Sequence, residues 1–374
     1  MTDVAFLIDQ LFSPAPGGIG TYVRRLVPAL RQADPEMGLT LFHSRFGGLP
    51  PEAWTRDFPR VELGAGIRRL YQEWTLLRRP SLPRSLAAHH LVHTPSPAAV
   101  PPAGGGQRLV VTVHDLAFVV HPDLFPRRWR LMYRAALARV ARSADAVIAV
   151  SSHTAQDLLR LTSLRPERVH VIPLAGSLPG SAGAADVGGT LANLKVRRPY
   201  VVFVGTLEPR KNLVRLVRSY RRLAARGLPH RLVLAGPMGW GSRPLLREIH
   251  RAGPGEVVLT GRLEGEDSVD ALYRGADAMA YPSLYEGFGL PVLEAMSRGL
   301  PCVVSTTSSL PEVAGEAALA VDPRSEQGIA DALELILTDS ALAERLREAG
   351  RARAARFSWE RTAEQTLEVY RSLL

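Results

Sequence analysis

The chain has 374 residues, 46% hydrophobic and 22% charged, with a formal charge of +10 and a single cysteine, Cys302. That length exceeds one ordinary core and suits two α/β domains, and the composition excludes a disordered chain. One cysteine excludes an intrachain disulfide framework and fits a reducing compartment. No apolar run of about 20 residues occurs, so nothing is expected to span a membrane. M-T-D-V-A-F-L-I-D opens directly as a strand without a basic leader, so a cytoplasmic location is expected.

The charge is uneven. Residues 1–195 carry 22 Lys+Arg against 14 Asp+Glu, net +8, and residues 196–374 carry 24 against 22, net +2. The first half therefore points either to an acidic partner (anionic lipid, lipid pyrophosphate or nucleic acid) or to arginine-rich solvated helix faces. Lysine occurs only at Lys195 and Lys211. A lysine kept in so Arg-rich a background hints that Lys211 needs the compact geometry of an ammonium.

In chain order, Val4–Asp9 is predicted as a buried strand. S-P-A-P-G-G-I-G-T-Y then forms a Pro/Gly loop entering a helix predicted over Thr21–Gln32. Gly17 and Gly18 would let bare backbone approach a ligand at that helix start. The spacing is not G-x-G-x-x-G, because Val23 stands where a glycine is needed; a plain structural turn is the alternative. Leu39–His43 is a second strand, and residues 45–66 form a Pro- and Gly-rich stretch with a short strand near Val61. From Ile67 onward, basic residues interleave with Leu70, Tyr71, Trp74, Leu76 and Leu77. That stretch lies on an anionic membrane surface, lines an acceptor site, or turns its apolar stripe into the core. H-H-L-V-H-T at 89–94 reads as a buried strand, and without a spaced acid or thiol partner no metal site is expected there. Leu109–Val113 is a strand ending in His114-Asp115, at the end where α/β proteins place ligands. Arg127–Ala144 is a basic amphipathic helix, Asp145–Ser151 a strand, S-S-H-T a helix cap and Val169–Ile172 the last strand of the first domain. Residues 176–193, rich in Gly and Ala, are expected to be loop plus interdomain linker.

Tyr200–Val204 opens the second domain and runs into G-T-L-E-P-R-K-N-L. Strand, glycine loop, the basic pair Arg210-Lys211 and a helix make a phosphate-facing design, or else a solvated helix start. Arg231–Gly236 and Val257–Thr260 are strands, with Trp240 in a turn between them, and Asp267–Ala276 is helical. The most informative stretch is Y-P-S-L-Y-E-G-F-G-L-P-V-L-E-A-M-S-R-G-L-P-C, residues 281–302. Gly287 and Gly289 permit a tight loop, Pro291 suits a first helical turn, and Gly299 with Pro301 ends the helix. Free N–H groups at that helix start would bind phosphate. Glu286 and Glu294 flank the loop, and a carboxylate accepts hydrogen bonds from vicinal hydroxyls. A phosphate seat between two hydroxyl acceptors suits a nucleotide sugar; acids that merely cap a helix are the alternative. A strand at Pro301–Ser305, a capped turn with Glu312, the strand Leu319–Val321, a helix from about Ser325 and a long final helix complete the chain.

E-G-F-G-L-P-V-L-E-A resembles the E-x7-E signature of retaining glycosyltransferases of family 4, and further matches from Gly17 to Glu312 cover most of the chain. G-T-L-E-P-R-K-N-L and G-P-M-G-W resemble the mannosyltransferase-type branch. The resemblance implies an α/β protein of GT-B fold, two doubly wound Rossmann-like domains facing across a cleft. Residues 1–195 would meet the acceptor, 196–356 would bind the donor, and a helix over about 357–374 would cross back onto the first domain. The implied donor is a nucleoside-diphosphate sugar, GDP-mannose ahead of UDP-glucose, and the implied acceptor is a glycan, a lipid-linked sugar or a small molecule.

By the same resemblance Glu294 holds the ribose hydroxyls. The N–H groups of Phe288, Gly289 and Leu290, with Arg210 and Lys211, face the leaving diphosphate. Thr206 stands where many members carry Arg, which leaves the basic pair to supply the charge. G-G-I-G-T-Y resembles the family loop that brings Gly17 and Gly18 to the phosphates. Glu286 orients the sugar, and His114, in V-H-D-L, contacts it. Retention by front-face attack is implied, so Glu286 is not read as a double-displacement nucleophile. No D-x-D motif is seen and two cations are already at hand, so no divalent metal or other cofactor is expected. Peripheral contact with anionic membrane is allowed, and nucleic acid is not expected as a partner. The competing readings are a GT-B sugar-nucleotide epimerase, a UDP-glucose-dependent glucosyltransferase, a dinucleotide oxidoreductase and a basic binding protein without turnover.

Overall fold

A computed structural model describes residues 2–13, 16–48, 50, 52–102, 104, 106–176, 186–253, 255–263 and 265–374. The chain divides into two compact units, residues 1–174 with 358–374, and residues 175–357.

The first unit is built on a seven-stranded sheet, β1 (Asp3–Leu7), β2 (Gly38–His43), β3 (Arg60–Glu62), β4 (Leu91–Thr94), β5 (Arg108–Val113), β6 (Ala146–Ala149) and β7 (Val169–Val171), in the order β3-β2-β1-β4-β5-β6-β7. Every pairing is parallel. β1, β4, β5 and β6 read as near-continuous apolar runs because helices cover both faces of the sheet, and their side chains are almost wholly inaccessible. The order reverses between β1 and β4, which makes the carboxyl ends of those strands the natural ligand position.

One feature of this unit differs from expectation, and one open alternative is decided. The first helix runs over Gly17–Ala33 rather than from Thr21, so Gly17 and Gly18 form its first turn. Gly20 N–H already bonds Pro16 O at 2.9 Å, which carries the helical hydrogen-bond pattern back into the glycines. Pro14 and Ala15 of the expected loop lie outside the described residues. The stretch from Ile67 forms the helix Ile67–Leu76, with Leu70 and Trp74 in the hydrophobic core, so its apolar stripe does face inward.

The last helix, Trp359–Ser372, belongs to this unit and packs on Gly17–Ala33. A buried polar chain fixes it: Tyr370 OH bonds His93 Nδ1, His93 Nε2 lies 2.7 Å from Thr112 Oγ1, and Tyr22 OH lies 2.9 Å from the same oxygen. Each buried polar atom in that chain is satisfied by the next. Burial, reinforced by His114 nearby, pushes the His93 ring down to about 3, so it is neutral.

The second unit holds a six-stranded parallel sheet, β8 (Tyr200–Val204), β9 (Arg231–Ala235), β10 (Val257–Gly261), β11 (Ala278–Tyr281), β12 (Cys302–Ser305) and β13 (Leu319–Val321), ordered β10-β9-β8-β11-β12-β13. Its switch point lies between β8 and β11. Residues 187–193, expected within a linker, form the helix Val187–Asn193, which packs on the helix Gly265–Gly275. The unit therefore starts at 175 rather than 196. Asp186 caps that helix by accepting from Gly189 N–H at 2.9 Å, and Leu191 is its buried residue. Residues 177–185 of the expected linker lie outside the described set.

Two glycines set the turn after β8. Gly236 has φ +140°, and a Cβ there would stand 2.1 Å from Gly205 O. Gly205 N–H in turn bonds Ala235 O at 2.9 Å. Gly236→Ala should therefore destabilise the protein by about 3 kcal/mol or more through a backbone clash at positive φ. Denaturant unfolding checks this; a loss under about 0.5 kcal/mol would show that the turn can relax.

Candidate active site

The site grows from the two loops at the β8/β11 switch point. After β8 comes Gly205, then the 3-10 turn Pro209–Lys211, whose proline sits where no N–H is required. Asn212 follows with φ +61°, a left-handed conformation that Asn tolerates better than most residues. Its side-chain amide does not cap the next helix. It donates instead to Pro282 O at 3.0 Å and Pro323 O at 2.6 Å, tying the first loop to the one after β11. A second tie runs from Leu284 N–H to Arg210 O at 2.9 Å.

These ties bring Glu286 against the basic pair. Lys211 Nζ lies 2.6 Å from Glu286 Oε1, and Arg210 Nη1 lies 2.9 Å from Glu286 Oε2. Arg210 also bonds Glu208 Oε1 through Nε at 2.9 Å and Tyr285 O through Nη1 at 3.0 Å. Lys211 donates to Tyr281 OH at 2.9 Å, and its third proton has no acceptor among the described residues. Glu208, Lys211 and Glu286 are all below 8% exposed. Burial by itself would raise the Glu286 carboxyl, but Lys211 and Arg210 overcome it and hold the group at about 2. Burial lowers Lys211, with Arg210 adding to it, while Glu286 and Glu208 oppose the shift. Glu286 is thus a permanent carboxylate, an acceptor rather than a proton donor.

The loop then turns into the helix Leu290–Ser297. Gly289, its N-cap, has φ +110°, and a Cβ there would meet Leu310 Cδ2 at 2.7 Å, so only glycine fits. Ser309 Oγ lies 3.0 Å from Glu286 O and 2.8 Å from Phe288 O, one proton shared between two carbonyls. Glu286 N–H donates to Ser308 Oγ at 2.9 Å. With the carbonyls held, the N–H groups of Phe288, Gly289 and Leu290 donate to no acceptor among the described residues. Among the described residues these are three amides without acceptors at a helix start, in the loop that also carries Glu286, an arrangement chemically able to take an anion.

Glu294 projects from the second turn of the same helix, with Tyr273 OH 3.4 Å from its Oε2. A Cβ on Gly176 would stand 3.2 Å from Glu294 N, so the chain at Gly176 lies directly on this helix. Thr206 follows Gly205, and its methyl group bounds the Gly239 turn. The second unit thus unites Arg210, Lys211, Glu286 and the amides of 288–290 in one cluster.

Gly17, Gly18 and His114 belong to the first unit. Gly17 and Gly18 are exposed at a helix start, and Gly17 has φ +56°. His114 follows β5, edge-on to Tyr22 at 5.0 Å between ring centroids. Burial pushes its ring down to about 4, against Asp115 and a backbone hydrogen bond at Pro95, so it is neutral. Its Nε2 is inaccessible and without a partner. The three histidines at 89–94 diverge, with His93 committed to Thr112 and Tyr370 and His89 Nε2 to Thr40 at 2.8 Å.

Sequence reasoning gave no role to Glu208, Tyr281, Asn212, Ser308 or Ser309. Only Asn212 left a signal, an Asn directly after the basic pair and before a helix.

The Glu286 shift carries a pH signature. A folded value of about 2 lies below the ordinary 4.5, so the stability it contributes is present above about pH 4.5 and lost as pH falls toward 2. Glu286→Gln removes that component and leaves two buried cations short of a carboxylate. The stability gap between wild type and variant should be largest near neutral pH and narrow steadily from about pH 5 downward. Denaturant titrations across that range check it; a pH-independent gap would show that Glu286 is not held ionised.

Comparison with known proteins now places the chain. Residues 192–353 match the family model for glycosyl transferases group 1, and residues 16–175 match that for glycosyltransferase family 4. The O-antigen chain mannosyltransferase B of Escherichia coli is 32% identical over 95% of this chain and 96% of its own length. A serotype-specific mannosyltransferase WbdA of Escherichia coli is 31% identical over 71% of this chain, which spans 34% of that longer protein. Among solved structures, the sucrose-phosphate synthase of Thermosynechococcus elongatus superposes with a TM-score of 0.76 at 22% identity, covering 100% of this chain and 99% of that one, a likeness of fold. With its two parallel Rossmann-like sheets of GT-B type and these relatives, the chain belongs to glycosyltransferase family 4 and is a hexosyltransferase.

Proposed function

We propose that this enzyme moves mannose, with retention of anomeric configuration, from GDP-mannose to a glycan or lipid-linked acceptor in polysaccharide synthesis. The observation that carries the reading is the buried Arg210–Lys211–Glu286 cluster beside the unpaired amides of Phe288, Gly289 and Leu290. Mannosyl transfer is supported by the relatives named above and by a further one, an MMP alpha-(1->4)-mannosyltransferase of Mycolicibacterium hassiacum at 32% identity over 62% of this chain.

In this reading the leaving diphosphate sits on the three amides, with Lys211 and Arg210 matching the charge that grows as the glycosidic bond breaks. Fixed donors aimed at developing charge need no reorganisation, and each is worth about 3 kcal/mol of barrier. Glu286, always ionised, accepts hydrogen bonds from sugar hydroxyls while its cations hold its orientation. Glu294 takes the ribose hydroxyls, and His114 is read as a sugar contact on the family resemblance alone. Thr206 supplies no charge, and the family resemblance alone gives Gly17 and Gly18 their approach to the phosphates. The acceptor attacks on the face the diphosphate leaves, and a phosphate oxygen takes its proton. In this reading the amides of 288–290 share the diphosphate with Arg210 and Lys211 and no divalent metal takes part, so turnover in EDTA should equal turnover in Mg2+.

Lys211→Ala and Glu286→Ala should each lower kcat by about 100-fold or more in a GDP-mannose assay. Near-wild-type turnover in either would overturn the assigned roles. A thermal-shift panel of GDP-mannose, UDP-glucose, UDP-GlcNAc and ADP-glucose should give its largest shift with GDP-mannose; a larger shift with UDP-glucose would make the enzyme a glucosyltransferase. Donor turnover without any acceptor product would favour an epimerase.

No helix among the described residues is long and apolar enough to cross a membrane. The reading places the enzyme in the cytoplasm, with its basic first half open to an anionic membrane face. Exposed Leu76 and Leu131, on the packed helices Ile67–Leu76 and Arg127–Ser143, and Leu77 just after the first, support that contact. Flotation with anionic but not with zwitterionic vesicles is expected; equal flotation with both would remove the charge argument.

A further inference from the structure

Two aromatic rings and one arginine outside the cluster converge on the loop that carries the anion seat. Phe288 is nearly buried, and its ring meets that of Phe357 edge-to-face, 5.9 Å between centroids at 79°. Phe357 is the last residue of the second unit before the chain leaves it at Ser358. Its other neighbour is Arg353, whose guanidinium lies 5.1 Å from the Phe357 ring centroid. The same guanidinium donates through Nε to Val313 O at 2.9 Å and through Nη2 to Glu312 O. Those carbonyls belong to the helix Leu310–Ala314, so the cation sits at the negative end of that helix. Ser309, just before it, holds Glu286 O and Phe288 O, and Leu310 confines Gly289. Phe288 is therefore held twice, through its carbonyl by Ser309 and through its ring by Phe357, and Arg353 anchors both supports.

We propose that Phe357 and Arg353 are positioning residues that brace the Phe288 loop, so that the amides of 288–290 are already aligned for the donor's diphosphate. The inference rests on the diphosphate reading of the seat. In this proposal neither residue contacts the ligand. Both act by restricting a loop whose amides have no partner until an anion arrives, which is preorganisation bought by remote packing.

The test compares wild type, Phe357→Ala, Phe357→Tyr, Phe288→Ala and the Phe288→Ala/Phe357→Ala double variant of the full chain. Deuterium uptake is followed in a peptide covering residues 284–297 without ligand, and affinities are measured for GDP, UDP and guanosine. Phe357→Ala should take up deuterium faster in that peptide alone. It should bind the preferred nucleoside diphosphate about three- to tenfold more weakly, the range expected for one aromatic pair, with guanosine affinity unchanged. Phe357→Tyr should restore both, and the double variant should be no worse than Phe288→Ala. Wild-type uptake in Phe357→Ala, or equal weakening of diphosphate and guanosine, would overturn the brace. If wild type binds neither GDP nor UDP, the donor reading fails, and deuterium uptake still decides whether Phe357 braces the loop.

Discussion

The second unit depends on one buried carboxylate. Glu286 is 7% exposed at its side chain and is gripped by Lys211 at 2.6 Å and Arg210 at 2.9 Å, residues more than 70 positions earlier in the chain. Taking such charges out of water costs several kcal/mol per ion, and only close partners offset it. Glu208 supplies the second negative charge at 2.8 Å from Arg210, so the cluster is neutral before any ligand binds. A neutral cluster can be buried, and a buried cluster is rigid. It also fixes the spacing of the loops after β8 and β11, and thereby places the amides of 288–290.

The preference for lysine at 211 follows from the same geometry. Its ammonium fits beneath Tyr281, 2.9 Å from the hydroxyl and 5.2 Å from the ring centroid, while touching Glu286. A planar guanidinium needs more room and a wider fork than this pocket of Tyr281 and Glu286 gives. Arg210, at the edge, uses that fork to reach Glu208, Glu286 and Tyr285 O together. In the first unit, burial serves a different end. His93 and His114 are both neutral, so the polar chain from Tyr370 to Tyr22 carries no charge and adds uncharged hydrogen bonds to the hold on the final helix.

Much of this was legible because the signals were local. Apolar runs marked the parallel strands, Gly287, Gly289 and Pro291 marked a loop entering a helix, and Arg210-Lys211 stood after a strand and a glycine. What was not legible involved partners far apart in sequence. Nothing near Glu286 announces that its two oxygens belong to Lys211 and Arg210, or that Asn212 forgoes its helix to bond Pro282 and Pro323. The helix Val187–Asn193 was hidden by a glycine- and alanine-rich stretch whose periodicity is weak; its burial of Leu191 is a tertiary fact.

By itself the sequence determined the strand and helix succession, the two glycine loops and the residue types able to meet a diphosphate and hydroxyls. These follow from backbone sterics and side-chain chemistry, which act within a few residues. Only the tertiary structure decided that the carboxylate and the cations neutralise one another, that Ser309 and Leu310 shape the Phe288–Gly289 turn, and that Phe357 backs it. Those outcomes depend on which strands become neighbours in the sheet, and burial makes each unpaired charge or amide costly enough to enforce the match.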